Sequence, residues 1–208
     1  MMNRYDFAER AIHWMSALSF VYAAFTGLAL WSHKLYWLAL VFGGGNATRF
    51  AHPWAGLIFA LALGFMFRRW AGQMRLDRED GVWLRNAHKY AMNQEEGLPE
   101  CGRFNAGQKM LFWLQALAAV ALLATGVVLW FPEWMPRTLR LVAIALHPLA
   151  AVLAIALIIL HVYMGTAAVP GAFTAMIQGR VSRGWARAHH PKWLKDESSG
   201  RKNVLPLG

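Results

Sequence analysis

Two histidines on the last long apolar stretch of the chain are the residues best suited to chemistry inside a membrane. His147 and His161 lie in the run 141–169, which is long enough to span a bilayer as a helix. A helix places residues at this spacing about 21 Å apart and nearly on one face. Because ionisable side chains inside a membrane are costly and usually functional, we expect each histidine to be an axial ligand of a b-type haem.

Two further histidines lie at matching depths on other apolar segments. His13 and His161 each lie roughly 10–14 Å from one membrane surface, at 1.5 Å of rise per residue. His52 and His147 each lie within about 4 to 9 residues of the opposite ends of their helices. A six-coordinate haem takes its two axial ligands from facing helices. The depths therefore pair His13 with His161 and His52 with His147.

Other uses of these histidines are an interfacial hydrogen bond, a proton relay or a different metal site. A lone histidine near a helix end most often settles at the membrane boundary, but four at two matched depths favour ligation. A relay usually includes Asp or Glu within the span, and the four apolar segments contain neither. The remaining histidines are predicted to be solvated: His33, His88, His189 and His190.

The composition indicates an integral membrane protein. Hydrophobic residues make up 57% of the 208 positions, only 15% are charged, and the mean hydropathy is +0.31. The net charge of +10 lies at the ends of the apolar segments, which favours lipid head groups over nucleic acid. The single cysteine, Cys101, and the lack of a C-x-x-C-H sequence exclude an internal disulfide, a c-type haem and a cysteine-ligated iron–sulfur cluster.

The apolar segments predict an all-α membrane fold, a four-transmembrane-helix bundle that binds two haems b and forms a single domain over 1–208. The spans are expected at about 8–31, 49–68, 107–131 and 139–169, with an extramembrane loop over 69–106 and a polar tail over 171–208.

Several local signals set the ends of these helices. Asp6 with Glu9 predicts a capping box at the start of the first helix, and these two acids also indicate a retained helix rather than a signal peptide. The glycines at 43–45 are expected to break any helix there, and a short helix is expected at 82–92. Pro148 should kink the last helix because it removes the hydrogen bond to Ile144.

The distribution of Lys and Arg predicts the orientation. Of the 21 basic residues, 17 lie in the N-terminus, the 68–109 segment and the tail, and four lie in the other two connections. The positive-inside rule then puts both termini and the large loop in the cytoplasm.

Five stretches carry a resemblance to a known family: RAIHWMSALSF from Arg10, LVFGGGNATRFAHPWAG from Leu40, LPECGRFNAGQKMLFW from Leu98, HVYMGT from His161 and VSRGWARAHHPKW from Val181. With these the chain resembles the cytochrome b (gamma) subunit of membrane-bound, quinone-reducing formate dehydrogenase. The resemblance implies four transmembrane helices, two haems b and the pairing that depth alone indicates.

The resemblance also implies a quinone site beside the cytoplasmic haem, at Asn105, Gly107 and Gln108 with His161 adjacent. An amide can hydrogen-bond a quinone carbonyl, and the acceptor would be menaquinone or ubiquinone. The residues themselves leave an alternative open, because Asn105 and Gln108 could simply cap the third helix.

The function implied by the resemblance is electron transfer in the respiratory chain of the bacterial inner membrane. A molybdenum or tungsten (alpha) subunit would oxidise formate, and an iron–sulfur (beta) subunit would pass the electrons to this chain. Quinone reduction on the cytoplasmic side would then contribute to a proton-motive force. Whether the heterotrimer forms a higher oligomer stays open.

Two alternatives remain at this point. One is the dihaem cytochrome b subunit of a membrane-bound nickel–iron hydrogenase. The other is a haem-free membrane anchor. Formate chemistry itself leaves no trace in the residues of this chain, so the substrate rests on the resemblance.

Overall fold

The computed structural model describes residues 1–92, 94 and 97–200. Its α-helices in chain order are α1 (Phe7–Trp31), α2 (Leu38–Val41), α3 (Gly44–Trp70), α4 (Arg78–Arg85), α5 (Ala87–Ala91), α6 (Ala106–Trp130), α7 (Arg137–Tyr163), α8 (Ala172–Gln178), α9 (Arg183–His189) and α10 (Pro191–Ser198). Short 3₁₀ turns occupy His33–Leu35, Ala71–Met74 and Pro132–Trp134, and a π-helical turn occupies Met164–Ala168. Residues 93, 95 and 96 of the predicted loop and 201–208 of the predicted tail lie outside the described residues.

Four of the described helices are long and apolar enough to cross a membrane. They are α1, α3 with its following turn, α6, and α7 with its π-helical turn. Their number and order confirm the expected all-α, four-helix membrane fold. Two short strands, β1 (Met2–Asn3) and β2 (Arg180–Val181), add an antiparallel pair near the ends of the chain.

The second membrane helix begins earlier than expected. Gly43, between α2 and α3, and Gly44, the first residue of α3, have φ of +84° and +90°, a backbone conformation that suits glycine. Gly45 lies inside α3, and a Cβ there would collide with the Tyr36 hydroxyl. The predicted break is therefore found at 42–43, while Gly44 and Gly45 already belong to α3. Thr48 stabilises this first turn by donating its hydroxyl to the Gly44 carbonyl at 2.9 Å.

The short helix expected at 82–92 is two helices, α4 and α5. A capping box between Asp77 and Asp80 begins α4 four residues earlier than predicted. Asn86 interrupts the helical backbone and donates its side-chain amide to the Val82 carbonyl at 3.0 Å. The helix begins at this cap because the side-chain oxygens of Asp77 and Asp80 accept hydrogen bonds from backbone N–H groups that have no partner within the helix.

The capping box at the start of α1 is confirmed. The Glu9 amide donates to Asp6 Oδ1 at 2.8 Å, and the Asp6 amide donates to Glu9 Oε2 at 2.9 Å. Glu9 is only 5% exposed and also accepts hydrogen bonds from the Trp70 indole at 2.7 Å and from Arg103 at 2.9 Å. One carboxylate thus links the start of α1 to the end of α3 and to the segment before α6.

The chain divides into two compact units. The first comprises Met1–Arg10, Arg68–Leu114 and Ile159–Gly208, and the second comprises Ala11–Phe67 and Gln115–Ile158. The single domain expected over 1–208 stays a prediction.

The core of the second unit takes one residue from each long helix. Phe20 of α1, Phe59 of α3, Ala119 of α6 and Ala154 of α7 are buried together. The two phenylalanine rings lie 5.1 Å apart between centroids. Small residues on the other two helices allow close backbone approach, which is how helices pack where lipid surrounds them.

The described part of the polar tail, 171–200, belongs to the first unit and is folded. Ala175, Val181, Ala186 and Trp193 form a buried cluster there. The Arg4 guanidinium lies 4.9 Å from the Trp185 ring centroid and 5.1 Å from that of Trp193. These cation–π contacts tie the N-terminus of the chain to its tail.

His190 lies in this folded tail and is only 1% exposed, so the prediction that it is solvated is wrong. Its Nε2 lies 2.9 Å from an Arg4 nitrogen, and its Nδ1 lies 2.8 Å from the Gly102 carbonyl oxygen. Guanidinium only donates and a carbonyl only accepts, so the ring is neutral with its proton on Nδ1. Burial and the Arg4 charge hold the pKa of His190 well below its usual value. His33 and His88 are exposed as expected.

We expect the stability of the first unit to decline as pH falls below about 6.5, the usual histidine pKa. The unfolded chain then binds a proton that folded His190 resists, so stability is complete above that pH and is lost toward the lowered pKa of the folded state. Pulsed proteolysis of the tail from about pH 7.5 to 5 measures this decline.

His190→Gln keeps a donor and an acceptor without titrating, and should flatten the pH dependence. His88→Gln, at an exposed position of the same unit, should leave it intact. His190→Ala should cost about 1–3 kcal/mol at neutral pH because buried Arg4 and the half-buried Gly102 carbonyl each lose a hydrogen bond. An unchanged pH dependence in His190→Gln would contradict this assignment.

Candidate functional site

His52 and His147 face each other within the second unit. His52 lies in the third turn of α3, and His147 lies in the third turn of α7. Their ring centroids are 6.2 Å apart and their planes are nearly perpendicular, at 79°. Each histidine is followed by a proline, Pro53 and Pro148, inside its helix. The structure thus brings together the pair predicted from depth.

The separation of the two rings suits a metal atom between them. A metal–nitrogen bond is about 2 Å long, and an imidazole nitrogen lies roughly 1.1 Å from its ring centroid. Two bonds and two such radii add up to about 6.3 Å, close to the 6.2 Å found between His52 and His147.

An apolar cavity of about 850 Å³ surrounds this pair. All four long helices line it, with Phe20 of α1, Phe59 of α3, Leu122 of α6 and Ile155 of α7 among the lining residues. A cavity of this volume and apolar character can hold a large flat cofactor.

A glycine on a neighbouring helix lies against each histidine ring. A Cβ on Gly27 of α1 would fall 3.0 Å from His52 Cε1, and a Cβ on Gly126 of α6 would fall 3.4 Å from His147 Cε1. The two glycines leave room for the rings, so the donor set and its surroundings fit a bis-histidine cofactor.

A threonine precedes each of these glycines and contacts the same ring. Thr26 Oγ1 lies 3.0 Å from His52 Nδ1, and Thr125 Oγ1 lies 2.8 Å from His147 Nδ1. Neither threonine is among the site residues predicted from the sequence. The available signal was the Thr-Gly dipeptide, which occurs twice in the sequence, once on α1 and once on α6.

The other two predicted ligands lie in different units. His13 is half-buried on α1 in the second unit, with its ring centroid 5.3 Å from that of Trp14. His161 is exposed in the first unit, three residues before the π-helical turn that ends the last membrane segment. Such turns are frequent at functional sites. The pairing of His13 with His161 stays a prediction.

The predicted quinone residues lie at the start of α6. The Gln108 amide donates to Asn105 Oδ1 at 2.9 Å, and the Asn105 amide donates to Gln108 Oε1 at 3.0 Å. The capping alternative is therefore confirmed for these two residues. Gly107 packs under Trp83, since a Cβ there would fall 3.2 Å from the indole ring. Quinone binding at these residues stays a prediction.

Four apolar helices with two facing histidines in an apolar cavity are typical of membrane proteins that hold a metal-centred cofactor between their helices. Residues 4–179 match the model of the family described as prokaryotic cytochrome b561. The chain belongs to this family of membrane cytochromes, which implies haem b as the cofactor.

Similar curated proteins agree with the resemblance seen in the sequence. The chain is 35% identical over 199 residues to the cytochrome b556(Fdn) subunit of the nitrate-inducible formate dehydrogenase of Escherichia coli, covering 94% of this chain and 91% of that subunit. It is 36% identical over 197 residues to the cytochrome b556(fdo) subunit from the same organism, covering 93% and 92%. A cytochrome b556 subunit of Haemophilus influenzae formate dehydrogenase is 30% identical over 197 residues, covering 93% and 82%.

We expect Gly27→Ala to lower the haem b content of the purified protein about tenfold, because the new methyl group displaces the His52 ring. The pyridine haemochrome assay, referred to protein concentration, measures this loss.

Gly64→Ala is the matched control, because it makes the same change on α3 where no atom lies within 4 Å. Both variants gain the same helix propensity. Equal haem content in the two variants would show that the space beside His52 is not needed for the cofactor.

Proposed function

We propose that this chain is the electron-transfer subunit of a formate dehydrogenase complex in the bacterial inner membrane. It would take electrons from an iron–sulfur subunit and deliver them to a quinone, while a molybdenum or tungsten subunit oxidises formate. The observation that carries this proposal is the facing of His52 and His147 at 6.2 Å. The identity to formate dehydrogenase subunits over nearly the whole chain supports the complex.

Two pairs of histidines would hold two haems b. When bound, haem b supplies one-electron transfer at a potential set by its ligands and surroundings. His52 and His147 supply two ligands from α3 and α7, and the apolar cavity around them excludes water. His13 and His161 would form the second pair; the fixed rise of a helix supports this, because it puts them at one depth.

The quinone site would lie at the start of α6. Asn105 is only 3% exposed, and its capping box with Gln108 uses the side-chain oxygen of each residue. Each amide therefore keeps an NH₂ group that can donate to a quinone carbonyl. Gly107 between them lies against the Trp83 indole, which would border the quinone site. His161 belongs to the same unit.

The orientation with both termini in the cytoplasm rests on the basic residues, 17 of which lie in the segments assigned to that side. The iron–sulfur partner would then contact the other side, close to the end of the bundle that carries His52 and His147. Protons taken up with the reduced quinone on the cytoplasmic side would contribute to a proton-motive force.

His147→Ala and His52→Ala should each remove one of two haems per chain and abolish electron flow from formate to quinone, because a bis-histidine site loses a ligand. The haemochrome assay counts the haems, and quinone reduction by the purified complex measures the flow.

His33→Ala, at an exposed position beyond α1, should keep both haems and full activity. Retention of both haems in His147→Ala would sink the ligand assignment. A wild-type complex without a reducible b-type spectrum would instead favour the haem-free anchor.

Asn105→Ser should slow quinone reduction by about tenfold or more while formate still reduces the haems, because serine keeps a cap but removes the NH₂ donor. Stopped-flow spectra of haem reduction and reoxidation by a quinone analogue separate the two steps.

Asn105→Ala removes both the cap and the donor and should additionally cost about 1 kcal/mol of helix stability. Gln108→Glu keeps the reciprocal oxygen of the capping box and isolates the second NH₂ group. Quinone kinetics that are unchanged in Asn105→Ser and Gln108→Glu would count against the site.

A further inference from the structure

We propose that Thr26 and Thr125 are positioning residues that hold His52 and His147 in one tautomer, with the ring proton on Nδ1 and the lone pair of Nε2 directed at the cofactor. The inference rests on the proposed function in one respect, namely that these two histidines ligate haem. It adds the residues that fix the chemical form of both ligands.

The first step concerns the single proton of each threonine hydroxyl. Thr26 Oγ1 lies 2.7 Å from the Tyr22 carbonyl oxygen, and Thr125 Oγ1 lies 2.6 Å from that of Ala121. Two oxygens this close require a proton between them, and a carbonyl has none to give. Each hydroxyl therefore donates to its own helix.

The second step assigns the proton on each histidine. With its proton used, Thr26 Oγ1 can only accept from His52 Nδ1 at 3.0 Å, and Thr125 Oγ1 can only accept from His147 Nδ1 at 2.8 Å. Nδ1 of both rings thus carries hydrogen.

The third step follows from imidazole chemistry. A neutral ring that is protonated on Nδ1 leaves only Nε2 free to bind a metal. The partner of the other nitrogen fixes both the tautomer and the ring orientation of a ligating histidine, and it raises the basicity of the ligand. Hydroxyls that are themselves held by backbone carbonyls are rigid partners for this purpose.

The arrangement occurs twice in the second unit. A Thr-Gly dipeptide on α1 contacts the histidine of α3, and another on α6 contacts the histidine of α7. In each case the glycine clears the space beside ring carbon Cε1 while the threonine holds Nδ1. The two rings held in this way lie at 79° to each other.

Thr26→Val and Thr125→Val test the inference, because valine keeps the shape and removes the acceptor. Each variant should weaken haem retention by about 10- to 100-fold. Each should also raise the midpoint potential of the haem held by this pair, since a less basic ligand favours the reduced form. A tenfold loss of affinity for the oxidised over the reduced cofactor corresponds to about 59 mV.

The measurements are made on the purified complex. Redox titration followed by the b-type absorption gives the potential, and electron paramagnetic resonance of the oxidised complex reports the angle between the ring planes. A purely structural role for the threonines would move neither of these in a variant that keeps its haem.

Thr48→Val is the matched control, because Thr48 is as buried as Thr26 and its hydroxyl donates to the Gly44 carbonyl of its own helix, not to a histidine. It should leave potential and spectrum unchanged. Thr26→Ser and Thr125→Ser restore the hydroxyl and should return both to wild-type values, including where the valine variants lose their haem. Serine variants that fail to rescue would overturn the inference.

The ligand role of the two histidines and the tautomer set by the threonines are tested separately. Loss of one haem in His52→Ala, together with an unchanged potential and spectrum in both valine variants, would overturn the tautomer assignment and leave the ligands standing. Retention of both haems in His52→Ala would overturn the ligand assignment itself.

Discussion

The facing of His52 and His147 is the constraint on which the rest of the site depends. Two imidazole rings on different helices stand 6.2 Å apart in an apolar cavity, a separation that suits one metal atom and two bonds. Polar rings in such surroundings need partners. Each ring finds a threonine hydroxyl at Nδ1, on the helix next to its own.

The packing of the second unit brings these rings and hydroxyls together. Small residues such as Ala119 and Ala154 bring the helices close, and glycines at 27 and 126 give the rings their space. The first unit is held together by buried polar groups. Glu9 accepts hydrogen bonds from Trp70 and Arg103. The neutral ring of His190 lies between Arg4 and the Gly102 carbonyl oxygen.

The sequence predicts the four helices because a membrane-spanning helix must be as long as the bilayer is thick. It predicts the His52–His147 pair because the fixed rise of a helix per residue converts a position in the sequence into a depth in the membrane. It does not predict Thr26 and Thr125, since their contacts depend on how neighbouring helices are rotated about their axes. It does not predict the burial of His190 either, because its partner Arg4 lies 186 residues away in the chain. The sequence does offer the capping box of Asn105 and Gln108 as an alternative, because capping is a local interaction.

A density map of the purified complex would locate the cofactor relative to His52 and His147. We expect one iron atom bonded to Nε2 of both histidines, with Nδ1 of each ring within hydrogen-bond distance of the threonine on the neighbouring helix. An iron bonded to Nδ1 of either ring, or a cofactor held by other residues while these two rings contact only protein, would contradict it.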